Sequence, residues 1–197
     1  EVGSQDRFFD VLEANLDSSE VVLLSHPADY AKRPPKVDQT TLDLRLVLLN
    51  LKTDKMTNIV APMAWGGSVK VRWSQDREIL CAKTDQIYRW TRQTGTFEPV
   101  LKKMFQSLDF LPISGNRVVL TGMYFPTLVP GAKSERGLFL ATASGDVVSL
   151  DPSANASAKI LDFDEATQTV RYQDPFPSSK GPTAGIRSLV IPKARIF

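Results

Sequence analysis

The side chains best suited to chemistry in this chain are one histidine, one cysteine and scattered carboxylates. Ser25-His26 sets a hydroxyl beside an imidazole, the pairing that nucleophilic catalysis uses. Adjacent residues of an extended strand project to opposite faces, and a triad also needs an orienting acid placed by the fold. His26 therefore reads as a strand-end histidine beside Pro27. Cys81 sits in the apolar run EILCA, which predicts a buried thiol rather than a nucleophile. A single cysteine excludes an internal disulfide and a thiolate zinc cluster. Asp162-Phe163-Asp164-Glu165 is a short acidic run without the alternating Asp/Asn ligands and glycine of a calcium loop, so it reads as a solvated turn. Gly66-Gly67-Ser68 is followed by no helical pattern that could aim an N-terminus at a phosphate, and it too reads as a turn. Asn155-Ala156-Ser157 matches a glycosylation acceptor, informative only in a chain secreted by a eukaryote. These spacings assemble no catalytic, metal or cofactor set, and no cofactor is expected.

The elements that carry these residues are short strands. Three times the chain writes a strand pair around a Thr/Gly- or Asn/Asp-rich turn: residues 44–60 (LRLVLLNLKTDKMTNIV), 86–101 (QIYRWTRQTGTFEPVL) and 146–161 (DVVSLDPSANASAKIL). The middle copy follows VRWSQDREILCA, where residues 69–73 alternate in the period-two pattern of a half-buried strand. Thr94-Gly95 supplies the positive φ that a hairpin turn needs. Thr53-Asp54 stands about forty residues before it, a normal spacing for blades of four antiparallel strands. The fold class expected is all-β, with about three to four antiparallel β-propeller-type blades. One domain or portion of a domain spans 1–197, with blades at 8–61, 65–103 and 105–162 and a partial blade at 166–197. FFDVLEANL reads as a strand, with a short helix as the alternative. The segment 105–162 holds five candidate strands, one more than a blade takes. An array of this size reads as incomplete, a fragment or one completed by another chain, and an incomplete array leaves an edge or face open to association.

Two connections are too long to be simple links. Residues 26–41 carry Pro27, Pro34 and Pro35, and residues 122–136 carry Pro126 and Pro130 beside Tyr124 and Phe125. Long loops inside compact folds tend to carry contacts. The expected partner-contact residues are Tyr30 and Arg33 in the first loop, Trp65 between blades, and Tyr124 and Phe125 in the second. Trp73 and Trp90 are assigned to the core between sheets.

The stretch WSQDREILCAKTDQIYRWTRQTG resembles the repeat of TolB-like propellers and of the propellers that cap prolyl oligopeptidase-family serine hydrolases. Trp73, Ser74, Asp76, Ile87, Tyr88, Trp90, Thr94 and Gly95 carry the resemblance. FFDVLEANLDSSEVVLLS followed by LVLLNLKTDK looks like the early blades of bacterial members of that hydrolase family. The chain departs from the pattern at the Pro-Asp-Gly turn, which here is Gln75-Asp76-Arg77, and at Thr91, where the family has aspartate. Such hydrolases carry their serine on a G-x-S-x-G elbow with an aspartate and a histidine. No G-x-S-x-G occurs in this sequence. The resemblance thus implies a non-catalytic propeller portion that gates substrate entry or binds a protein or peptide partner. A stand-alone enzyme with carboxylates and aromatics at the propeller mouth, and a pure scaffold, are the alternatives.

Composition narrows the partners. With 24 basic and 22 acidic residues the net charge is +2, and the basic clusters at Lys32-Arg33 with Lys36, at Lys102-Lys103 and at Lys180, Arg187, Lys193 and Arg195 read as surface or loop charge, so no nucleic-acid partner is expected. No apolar run approaches the roughly 18–20 residues that span a bilayer. The hydrophobic fraction of 42% suffices for a packed core. Cytoplasm and periplasm both suit a chain without a disulfide.

Overall fold

A computed structural model describes residues 7–15, 17–27, 45–59, 70–83, 86–101, 104–127, 133–142, 144–175 and 185–191. All regular structure among them is β, in four antiparallel sheets. The first sheet has the order β1 (Arg7–Asn15), β2 (Glu20–Pro27), β3 (Arg45–Asn50), β4 (Lys55–Ile59). The second runs β5 (Lys70–Trp73), β6 (Ile79–Lys83), β7 (Gln86–Thr91), β8 (Thr96–Pro99). The third comprises β9 (Met104–Ile113), β10 (Arg117–Phe125), β11 (Glu135–Thr142) and β12 (Val147–Asp151), in space as in sequence. The fourth holds β13 (Lys159–Asp164), β14 (Thr169–Asp174) and β15 (Gly185–Val190). Each neighbour in sequence is a neighbour in space, the up-and-down order of a propeller blade.

The chain forms two compact units, Glu1–Cys81 with Arg89–Glu98, and Ala82–Tyr88 with Pro99–Phe197. In the first, Val22, Leu46, Leu48 and Ile59 pack against Val71, Ile79, Cys81 and Trp90, with Trp73 and Phe97 partly buried on the margin. The alternation read at residues 69–73 thus places Val71 in this core. In the second, Ile113, Val119 and Leu138 pack with Ile160, Val170, Tyr172 and Ile191. Two polar bonds reinforce that packing. Buried Asp109 of β9 accepts from Ile160 N at 2.8 Å, and buried Thr121 donates to the Ala158 carbonyl at 2.8 Å.

Hairpin turns repeat one device, a residue in the left-handed region: Ser19, Asp54, Arg77 and Gly95 in the first unit, Asn116 and Gln168 in the second. Among these six only Gly95 takes that conformation without steric cost. Gly137 is required for a different reason. At φ +143° a Cβ there would lie 2.4 Å from the Asp151 carbonyl oxygen, so β12 could not close on β11.

Three expectations are corrected. Residues 157–161 do not close the third blade; Lys159–Asp164 opens the fourth sheet, paired with β14. The Asp-Pro-Ser-Ala-Asn stretch imitates a hairpin, but Asp151 binds Ser153, and Ala154 and Ala158 are small enough to be buried as the chain crosses. The run 162–165 is not a turn throughout. Asp162, Phe163 and Asp164 are strand, and Asp162 pairs with Arg171 on β14, with Nε to Oδ1 at 2.7 Å. Nor is the insertion as long as 122–136, because β10 runs through Phe125 and Tyr124 registers with Glu135 on β11. FFDVLEANL forms the strand, with a bulge between Val11 and Glu13.

Cys81 is fully buried, and burial pushes its thiol up to about 12. Since the thiolate is the reactive form, the native chain at pH 8 should resist a disulfide-exchange reagent that labels the urea-unfolded chain at once. Labelling of the folded chain at a comparable rate would place Cys81 outside the core.

Candidate functional site: a groove at the turn edge of the first unit

The hairpin turns of β1–β2, β3–β4, β5–β6 and β7–β8 come to one edge of the first unit. They line an open groove of about 620 Å³, and its walls carry Asp17, Glu20, Lys52, Asp76, Arg77 and Arg92. Two turns are braced from within: Asn50 Oδ1 accepts from Lys52 N and Thr53 N, and Ser74 Oγ accepts from Glu78 N. Leu51 N also donates to the Ser19 carbonyl at 2.8 Å.

Two of the lining residues form an ion pair. Arg92 donates twice to Glu20, at 2.7 and 2.6 Å, in the bidentate geometry that makes such pairs strong. The Glu20 side chain is 9% exposed and Arg92 44%, so the carboxylate is in the wall and the guanidinium faces the opening. Arg92 also lies 5.8 Å over the Trp73 ring. The Arg92 hydrogen bonds hold the Glu20 carboxyl below its usual range against the opposing effect of burial, and the same bonds raise Arg92. Arg77 adds a second positive charge near Glu20. Beside the groove Glu78 is tied to Arg89 at 2.9 Å, and Arg72 to Glu13 at 3.0 Å. The arrangement offers fixed charge and hydrogen-bonding capacity on rigid turns.

A second polar cluster lies in the other unit. Tyr172 donates to Asp151, Arg187 donates to Ser153 at 3.2 Å and lies 3.5 Å from Asp151, and buried Asp174 accepts from Asn155 N at 3.1 Å. These groups join β12 to β14 and β15, and the cluster serves as internal bracing. Among the described residues no group of three or more His, Cys, Asp or Glu side chains could hold a metal. No helix there is long and apolar enough to cross a membrane. His26 Nε2 lies 3.2 Å from Asp10, and its ring stacks on Phe8 at 6.1 Å.

Of the residues expected to contact a partner, Tyr30, Arg33 and Trp65 lie outside the described residues. Tyr124 and Phe125 end β10, both half-buried. Tyr124 stacks on Phe105 at 5.0 Å and meets Phe139 edge-on at 6.0 Å. Sequence reasoning passed over Glu20, Arg77 and Arg92. A signal existed for Arg77, which occupies the position of glycine in the Pro-Asp-Gly turn pattern and takes φ +59°. A long side chain kept in the left-handed region is worth a functional question.

No protein-family model matches the chain, and no curated protein does. Solved structures do. TolB from Acinetobacter baumannii superposes with a TM-score of 0.54 at 15% identity, over 86% of this chain and 38% of its own. A luciferin-regenerating enzyme follows at TM-score 0.49 and 9% identity, over 95% of this chain and 62% of that one. The chain therefore spans less than two thirds of either protein. At such identities the likeness concerns architecture. This chain is an all-β protein built of antiparallel β-propeller blades of the kind found in TolB.

Proposed function

We propose that this chain is a non-catalytic propeller portion that binds a protein or peptide, and that the turn-edge groove of its first unit is the contact site. One observation carries the reading: a groove of about 620 Å³ on braced turns, lined by the bidentate Glu20–Arg92 pair. Binding sites on turns held by a rigid sheet are a general solution to recognition. Pre-organised donors reduce the ordering cost of association. Panning a displayed random-peptide library against the chain tests it. Enriched peptides should lose about tenfold or more in affinity against Arg92→Ala, the range for truncating a central arginine anchor. Failure to enrich, or peptides indifferent to that substitution, would remove the groove from the account.

A finer version follows from the resemblance carried by Trp73, Ser74, Asp76, Tyr88 and Trp90. In it, the blades gate substrate access to a prolyl oligopeptidase-like serine hydrolase. Sequencing the natural transcript decides this version. It requires a G-x-S-x-G elbow encoded in the same reading frame, and a transcript without one eliminates it.

A further inference from the structure

Among the described residues the fourth sheet is one strand short of the other three. In the third sheet β11 stands third and is covered by β12, whereas β15 stands third in its own sheet and pairs only with β14. One hydrogen bond fixes which way its backbone points. Ile191 N donates to the Gln168 carbonyl at 2.7 Å, in the register that pairs Val190 with Thr169. Bonded and non-bonded pairs alternate along an antiparallel ladder. Gly185, Arg187 and Leu189 therefore bond to β14, while Ile186, Ser188 and Val190 turn their N–H and C=O groups to the open edge. The same three residues carry the exposed side chains, Ile186 at 64% and Val190 at 65%. Sheet edges are normally protected by a bulge, a proline or a charge. Bulges interrupt β1, β9, β12 and β13, lysines lie in β4 and β5, and Pro99 ends β8. β15 runs unbroken, and its one charge, Arg187, is turned inward to Asp151 and Ser153.

We propose that β15 is the interface of a symmetric dimer, in which the β15 strands of two copies pair antiparallel about Ser188. The occupant follows from the strand itself, which is its own complement. A two-fold axis at Ser188 sets Ile186 against Val190 across the interface, apolar against apolar on the exposed face. The same axis sets Arg187 against Leu189, so no two like charges stand in direct opposition. The outward groups of Ile186, Ser188 and Val190 then form bonded pairs, each exchanging two hydrogen bonds. The fourth sheets of the two copies become one continuous sheet. This surface lies in the second unit and is independent of the groove.

Sedimentation equilibrium of the full chain at up to about 1 mM, where even a weak complex is populated, should show a monomer–dimer equilibrium. Ser188→Pro should weaken it about tenfold, because it removes both hydrogen bonds at the two-fold axis. The blade keeps its own ladder in that variant, since the Ser188 N–H points away from β14. Ser188→Lys and Ser188→Asp, at an exposed position, should each weaken self-association about three- to fivefold, the effect of like charges in direct opposition. An equimolar mixture of those two variants should associate more tightly than either alone. A monomer throughout overturns the proposal, and protection of its Ile186, Ser188 and Val190 amides from exchange would then give the edge to a strand of the same chain. A dimer indifferent to Ser188→Pro, or a mixture no tighter than its components, places the interface elsewhere and overturns it equally.

Discussion

Phe139→Ala should lower the stability of the chain by about 3–5 kcal/mol, the cost of removing a fully enclosed aromatic ring. Phe139 is 0% exposed in the middle of β11. Its ring meets Phe105 edge-on at 5.9 Å and Tyr124 edge-on at 6.0 Å, while those two stack on one another. Aromatic rings prefer such offset and edge-to-face contacts. Truncation therefore leaves a void between two rings held on neighbouring strands of one sheet, where collapse would have to bend the ladder. Phe139→Leu keeps most of the volume and should cost less than about 1.5 kcal/mol. Urea denaturation followed by the circular dichroism of the β-sheets measures both, because the three tryptophans all belong to the first unit and Phe139 to the second. If Phe139→Ala costs no more than Phe139→Leu, the trio is not a packed core, and Tyr124 would return as a candidate surface contact.

Tyr172→Phe should cost about 1.5–3 kcal/mol near neutral pH, the range for a buried hydrogen bond to a charged group. Tyr172 is 1% exposed, and its hydroxyl donates to Asp151, which also accepts from Ser153 N at 2.8 Å. Burial, followed by the Asp151 hydrogen bond, pushes the Tyr172 phenol up to about 12. The bonds from Ser153 and Tyr172 hold the Asp151 carboxyl down against burial. The signs follow by linkage. A phenol whose pKa is raised on folding contributes fully below about pH 10, where the unfolded chain is still protonated. That contribution fades as pH rises towards 12. Asp151, lowered on folding, contributes above the ordinary aspartate range near 4, and its share is lost as the medium acidifies below it. The stability gap between the wild type and Tyr172→Phe should thus be widest near neutrality and shrink from pH 10 upward. A gap that grows with alkali would contradict the assignment of Tyr172 as a donor to Asp151.

The blade grammar was legible because strand alternation and turn chemistry are local. VRWSQDREILCA placed Val71 and Cys81 inside and Asp76-Arg77 in a turn, and QIYRWTRQTG placed Trp90 inside and Gly95 where a left-handed residue is needed. Sheet membership was less legible. Residues 157–161 follow an Asp-Pro-Ser-Ala-Asn stretch that has the composition of a hairpin, and nothing local says whether the next strand returns or crosses. What decides it is non-local: Ile160 N finds Asp109 fifty-one positions away, and Ile160 is buried with Tyr172 and Val170. The groove was hidden for the same reason. Glu20 and Arg92 are separated by seventy-two positions, and each alone reads as ordinary surface charge. Only the stacking of one blade's turns beside the next brings them together, so attention went to long loops and aromatics.

The central claim is that the turn edge of the first unit receives a partner, and mapping where a selected peptide perturbs backbone amides tests it most directly. The account predicts shifts concentrated at Ser18, Lys52, Arg77 and Gln93, with the amides of β13 and β14 unmoved. Shifts confined to other strands, with those four residues silent, would contradict it.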